Sequence, residues 1–192
     1  MRKTLAAALA LVAAVFLSSA QTEASPWKVD KRHSFIHFEV THLGIFPFPG
    51  RFKQHAIDLD YNPDAIASSK VRVRIPVDSV ETDDGLMNEI LLGDQFFDEN
   101  NYPSIEFVST AVRQTGPTTG EIDGELTIIG NTRPVTMQAT FNGQANDPFT
   151  GRKIIAITAS TVFDRTQWGL SAWQPFVGSM ITIEIGFEAS PE

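Results

Sequence analysis

The chain has 192 residues with 15 basic groups, 23 acidic groups and no cysteine. That composition excludes disulfides, a thiol nucleophile, an iron–sulfur centre and a Cys-ligated zinc. The net charge of −8 has the wrong sign for a nucleic-acid or anionic-membrane partner, whose phosphates select basic patches.

The first predicted element is a secretory leader. Met1-Arg2-Lys3 is a short basic start, and Leu5 to Leu17 is an unbroken apolar run. Ser18-Ser19-Ala20 supplies the small residues of a cleavage site. The 13 apolar residues fall short of the roughly 20 that a membrane-crossing helix needs. Cleavage is expected after Ala20, with Ala24 as the second choice, leaving residues 21–192 as one domain without a transmembrane segment. The domain is expected to be exported, with a net charge of −10 once Arg2 and Lys3 are gone.

Alternation dominates the rest of the chain. Ile36, Phe38, Val40 and His42 share one face of a predicted strand, with His37, Glu39 and Thr41 on the other. Val71, Val73, Ile75 and Val77 alternate with Arg72, Arg74 and Pro76. Residues 79–99 break the rhythm: Val80, Leu86, Met87, Ile90, Leu91 and Leu92 fall closer to a helical period, ahead of Phe96-Phe97. One or two short helices across the mouth of the fold are expected there. Ile122, Leu126 and Ile128, then Val135, Met137, Ala139 and Phe141, resume the alternation. Ile157, Ala159, Thr161 and Phe163 form a weaker set, and Ile181, Ile183, Ile185 and Phe187 close the chain. Loops are signalled at Asn62-Pro63-Asp64, at Thr115-Gly116-Pro117, and from Asn142-Gly143 through Asp147-Pro148. Gly130-Asn131 reads as a hairpin turn.

Such segments describe an antiparallel sheet with one apolar face. About eight short strands with exposed edges would invite aggregation, so closure into a β-barrel is the expected architecture. A barrel of that size is filled by side chains or holds one small ligand. An outer-membrane barrel would put Glu39, Arg72, Arg74, Asp123, Glu125, Gln138 and Glu184 in a narrow lumen. That crowding of charge turns the apolar faces inward instead.

Chemistry-bearing motifs are scarce. His33 and His37 share a strand face, whereas His42 lies on the other, so the three do not form a metal site without a break in the strand. His42 is the candidate polar contact inside the cavity, and His55 lies beyond the Gly50 turn. Asp83, Asp84 and Asp94 read as solvated or capping residues, and Asp164-Arg165 as a local ion pair tying a strand to its turn. No nucleophile–base pair, phosphate loop or dinucleotide fingerprint occurs. The 14 Phe, 3 Trp and 2 Tyr give an aromatic surface with few polar handles. Phe46, Phe48 and Phe52 cluster with Pro47, Pro49 and Gly50, which suggests an apolar mouth; such loops must pack on the core, a ligand or a partner.

A series of landmarks then carries a family resemblance. Trp27-Lys28-Val29-Asp30 is followed by His33-Ser34-Phe35-Ile36-His37-Phe38-Glu39-Val40-Thr41-His42-Leu43-Gly44, by Gly50-Arg51-Phe52, by Phe96-Phe97-Asp98, and by Tyr102-Pro103 and Phe107. Further on come Gly124-Glu125-Leu126-Thr127-Ile128, Gly130-Asn131-Thr132-Arg133-Pro134-Val135-Thr136, Asp164-Arg165 and Trp168-Gly169-Leu170. In this order they resemble the YceI-like family of exported lipid-binding proteins. The resemblance implies a periplasmic, all-β, extended, lipocalin-like antiparallel barrel whose pore holds a polyisoprenoid, an isoprenoid quinone precursor or a fatty acid or amide. It implies no catalytic residue, no metal and no cofactor beyond the bound isoprenoid or acyl lipid. Many members carry a charged Arg-Asp-x-His-Leu-Arg stretch before the two Phe, where this chain has Met87, Asn88, Ile90, Leu91 and Leu92. A neutral or weakly polar head group fits that departure better than a pyrophosphate.

The residues expected to touch such a ligand follow from the inward faces and the Phe-rich loops. They are Ile36, Phe38, Val40 and His42; Phe46, Phe48 and Phe52; Val73 and Ile75; Leu91 and Phe96; Phe107, Leu126 and Ile128; Met137 and Phe141; and Ile157, Phe163, Trp168 and Ile183. Two other functions stay open. One is a lipid-modifying enzyme using His42 with Asp164 and Arg165; the other is a stress-related envelope protein whose Phe-rich loops form a protein interface, a homodimer included.

Overall fold

A computed structural model describes residues 24–192; the expected leader lies outside the described residues. The strands are β1 (Ser25–His42), β2 (Phe46–Phe52), β3 (Ala56–Tyr61), β4 (Lys70–Pro76), β5 (Val80–Glu81), β6 (Ser104–Gln114), β7 (Thr119–Ile128), β8 (Asn131–Asn146), β9 (Lys153–Asp164) and β10 (Val177–Pro191), with one α-helix, α1 (Gly85–Leu92), between β5 and β6. Every pairing is antiparallel, and β10 returns to pair with β1, so the sheet closes. Eight strands form the wall: β1, β3, β4 and β6 to β10. Among the described residues no helix is long and apolar enough to cross a membrane.

Alternation places the side chains as expected. Ile36, Val73, Ile75, Ile105, Phe107, Ile128, Met137, Ala159 and Ile185 are buried inside one apolar cluster. Arg72, Arg74, Glu125 and Gln138, from the opposite faces, are exposed. The apolar side of the wall is therefore the inner side, which removes the outer-membrane reading.

The strand β1 is long enough to serve two neighbours on one edge. Its start pairs with β3 through Ser25↔Tyr61 and Trp27↔Leu59, and its end pairs with β2 from His37↔Arg51 to His42↔Phe46. Residues 53–55 bridge the seam between them. There the Ser34 hydroxyl lies 2.9 Å from His55 Nε2, and the Ser79 hydroxyl donates to the Gln54 carbonyl at 3.2 Å.

Four expectations are corrected. The segment from Phe46 to Phe52 is a strand rather than a loop. Pro47 and Pro49 are tolerated because β2 is an edge strand, joined on its far side only by β5 at Arg51 and Phe52. Asn142-Gly143 is a bulge within β8, with Gly143 at φ 138°, and the turn comes only after Asn146. The β7–β8 turn is centred one residue early, on Ile129 (φ 41°) and Gly130 (φ 72°), because Ile128 pairs with Asn131. A two-residue turn of this kind needs positive φ at both positions, and Ile129 is held there by packing on the core. Finally, β3 and β6 are full wall strands, although neither was among the predicted runs.

One close approach shapes the interior. Gly124 lies on the inner face of β7 beneath the Phe107 ring, and a Cβ there would sit 2.4 Å from it. Its missing side chain leaves room for that ring in the lumen.

Candidate functional site

The inner faces leave three mainly apolar cavities along the barrel, neighbours sharing wall residues. The mouth cavity, about 430 Å³, lies between the β1–β2 tip, α1 and the segment before β10. The strands supply Phe38, Val40, His42 and Phe48; α1 supplies Met87 and Leu91; Phe96, Trp173 and Phe176 complete the wall. The helix starts where Asp84 accepts from the Leu86 and Met87 amides at 3.0 and 3.3 Å, as the capping reading expects. Trp173 meets Phe96 edge to face at 5.2 Å.

Below it is a narrow middle cavity of about 90 Å³ whose wall presents only apolar atoms. Ile36, Phe38, Phe52, Val73, Ile75, Phe107, Leu126, Ile128, Met137, Phe163 and Ile183 all line it. The far cavity, about 290 Å³, takes Phe141 and Ile157 from β8 and β9 and opens between the β3–β4 loop and the β6–β7 hairpin. Phe38 borders both the mouth and the middle, while Val73, Phe107, Met137 and Ile185 border both the middle and the far cavity. The mouth cavity falls in, and the far cavity just below, the range of about 300–1,000 Å³ typical of small-molecule sites.

Two expected contact residues stand elsewhere. Phe46 is exposed at the β1–β2 tip and lines none of the three cavities. Trp168 is only 1% exposed and belongs to the same core cluster but lines none of the three cavities: it packs on Phe163 at 4.8 Å and donates from Nε1 to the Leu126 carbonyl at 2.9 Å. Residues that alternation did not single out also line the site. Tyr61 and Leu59 of β3 border the far cavity, and Trp173 and Phe176 the mouth. The β3 residues could have been found, because Ile57, Leu59 and Tyr61 alternate with Asp58 and Asp60.

The expected Asp164–Arg165 ion pair is not formed. Asp164 accepts instead from the Thr166 amide (3.0 Å) and hydroxyl (2.7 Å), which hold its carboxyl below the usual range. Arg165, 4% exposed, donates from Nε to the Gly178 carbonyl at 2.8 Å. Its two terminal nitrogens donate to the carbonyls of Leu170 (2.6 Å), Ala172 (2.9 Å) and Val177 (3.0 Å). The physical reason is backbone accounting. Residues 170–176 form no regular structure, and β10 begins at an irregularity in its pairing with β1, so carbonyls along this stretch need donors once buried. Burial draws the Arg165 pKa down, partly opposed by the Asp164 charge.

The histidines disperse. His33 faces Asp30 (3.0 Å) and Glu188 (3.3 Å) on the outside, His37 stacks on Phe35, and His42 lines the mouth. Among the described residues no group of three or more His, Cys, Asp or Glu side chains stands close enough to hold a metal ion.

Comparison with known proteins agrees with this geometry. The model of the YceI-like domain matches residues 27–189. A UPF0312 protein of Pseudomonas putida (strain W619) is 34% identical over 172 residues, covering 88% of each chain. One from Pseudomonas savastanoi pv. phaseolicola is 32% identical over 190 residues, covering 98% of this chain and 97% of its own. Among solved structures, Burkholderia cenocepacia BcnA superposes with a TM-score of 0.76 at 22% identity, over 84% of this chain and 99% of that one. A polyisoprenoid binding domain from Saccharophagus degradans does so with a TM-score of 0.61 at 10% identity, over 89% of this chain and all of that one. With the family model spanning nearly the whole described barrel, the chain belongs to the YceI-like family.

Proposed function

We propose that this protein is a periplasmic carrier that holds one long apolar chain, of the polyisoprenoid, quinone-precursor or acyl type, along the barrel axis. The observation that carries this reading is the middle cavity: it exposes only apolar surface and shares wall residues with a wider cavity on either side. Water gains nothing there, whereas each CH₂ withdrawn from water contributes about 0.8 kcal/mol. The likeness to a polyisoprenoid binding domain supports the same ligand class. The mouth is lined by Met87 and Leu91 on its helical side, and His42 is its one titratable side chain. That lining supports a neutral or weakly polar head group lying near His42.

Geometry lends nothing to the enzymatic alternative. His42 borders the mouth, Asp164 is held by Thr166, and Arg165 spends its donors on carbonyls. The test is organic extraction of the protein purified from its native host, followed by mass spectrometry. A co-purifying long-chain lipid is expected; an empty barrel that also fails to take up prenyl and acyl probes overturns the reading.

A further inference from the structure

Two sides of the mouth carry apolar side chains that point into solvent, while the third, α1 with its cap, carries exposed Asp84 and Glu89. Leu43, Ile45 (84% exposed) and Phe46 crown the β1–β2 tip, and Trp173 and Phe176 (62% exposed) crown the segment before β10. The two crowns are one surface: the Leu43 amide donates to the Phe176 carbonyl at 2.7 Å, and His42 pairs with Val177. Trp173 and Phe176 line the mouth cavity as well. Charge is absent from the same stretches. No Asp, Glu, Lys or Arg occurs from Val40 to Gly50 or from Thr166 to Ile183, in a chain that carries 38 such residues. At the opposite pole the β8–β9 turn is bounded by Asp147, Arg152 and Lys153, and Arg113 borders the far cavity.

We infer that this uncharged apolar rim is a membrane-docking face, which seats the pore mouth on a bilayer of net-neutral lipids. An apolar, aromatic and charge-free surface matches the interfacial zone of a bilayer, where Trp and Phe side chains partition. A protein of net charge −8 gains nothing from anionic head groups, so neutral lipid is the complementary surface. A second copy of this chain on the rim would seal the mouth, whereas a bilayer leaves cargo a path from pore to lipid that avoids water. Docking serves cargo exchange and so rests on the proposed carrier function, although its measurement does not.

The experiment is flotation of the purified, delipidated protein with phosphatidylcholine vesicles. Fluorescence quenching by brominated acyl chains accompanies it, since Trp27 and Trp168 are buried and Trp173 is the exposed indole. Flotation with quenching is expected, insensitive to salt and weakened when phosphatidylglycerol is added. Ile45→Asp and Phe176→Asp are each expected to lower vesicle binding at least tenfold. Phe149→Asp, 95% exposed on the β8–β9 turn, is expected to leave it unchanged. Absence of flotation overturns the inference, as does equal loss in Phe149→Asp, or a dimer that Ile45→Asp dissociates. If a variant is misfolded by its thermal melt, quenching of the unmodified protein decides. Docking by a protein that never retains lipid overturns the carrier function alone; retained lipid without flotation overturns docking alone.

Discussion

The two poles of the barrel are held together by opposite means. At the mouth, a buried Arg165 gathers four carbonyls of the 170–178 segment and has no carboxylate in contact. At the far pole, an exposed Arg113 meets Glu121 (2.9 Å) and Asp123 across the β6–β7 pair, and Thr136 adds a bond to Asp123 at 2.7 Å. The same side chain thus serves two purposes. In one place it replaces missing secondary structure; in the other it decorates a ladder already hydrogen-bonded. The difference teaches where stability depends on a single residue: where the backbone has no partner of its own.

Replacement of Arg165 by Leu is expected to have the largest effect. It strands up to four carbonyls in a closed interior, and each unsatisfied group costs about 1–3 kcal/mol. A loss of at least about 3 kcal/mol in urea denaturation is the expected outcome. Arg165→Lys is expected to recover little, because an ammonium cannot span the same fork. Full rescue by Lys would show that charge, not geometry, holds the mouth.

The next test probes the waist between the poles. Met137, with Val73, Phe107 and Ile185, borders both the middle and far cavities. Met137→Trp is expected to block that passage. Binding of the longest prenyl or acyl chains is expected to weaken tenfold or more, about 1.4 kcal/mol, while short chains still fill the mouth. Equal loss for all lengths would mean that the cavities do not act as one channel.

Much of this was legible in the sequence, for identifiable reasons. Inner faces such as Val73–Ile75 and Ile183–Ile185 declare themselves because a half-buried strand must alternate. The strand β2 did not, since Pro47 and Pro49 signal a loop unless an open edge is known to be available. Nor did the clamp: Arg165 is partnered by carbonyls, and a backbone acceptor leaves no mark on residue identity. Trp173 lies in an irregular segment at φ 61°, where no periodicity betrays its face. The pore and much of its mouth were readable from sequence patterns, whereas the Trp173–Phe176 side of the entrance was hidden because it follows none.

A smaller effect is expected at the seam of β1, midway between the poles. The His55 ring meets Ser34 through Nε2, while its buried Nδ1 has no hydrogen-bond partner. Burial lowers its pKa, opposed by the Phe52 carbonyl acting from outside hydrogen-bonding geometry and reinforced by the Lys31 charge. With the folded pKa below the ordinary value of about 6.5, the unfolded chain takes up the proton first. Stability is then complete above about pH 6.5 and declines as pH falls below it toward the folded pKa. Because the ring is only partly buried, the slope should stay well under the one-proton limit of about 1.4 kcal/mol per pH unit. Thermal melts of His55→Gln between pH 7 and 5 should be flatter than those of the unmodified protein.

Arg113→Gln at the far pole should matter least at neutral pH. Its partners are solvated, and exposed ion pairs return little of their Coulomb attraction as stability. Its trace should appear in acid instead. Arg113 holds the carboxyls of Glu121 and Asp123 below their usual range, aided by Gln138 and Thr136. Carboxylates with depressed folded pKa values stabilise the fold above their ordinary range, near pH 4, and lose that contribution as pH falls through the lower folded values. Removing Arg113 should therefore flatten the acid limb of the stability curve below about pH 4 and leave the plateau at pH 7 in place. A neutral-pH loss as large as that of Arg165→Leu would mean that the far pole, too, depends on one side chain, and the contrast between the two ends would be gone.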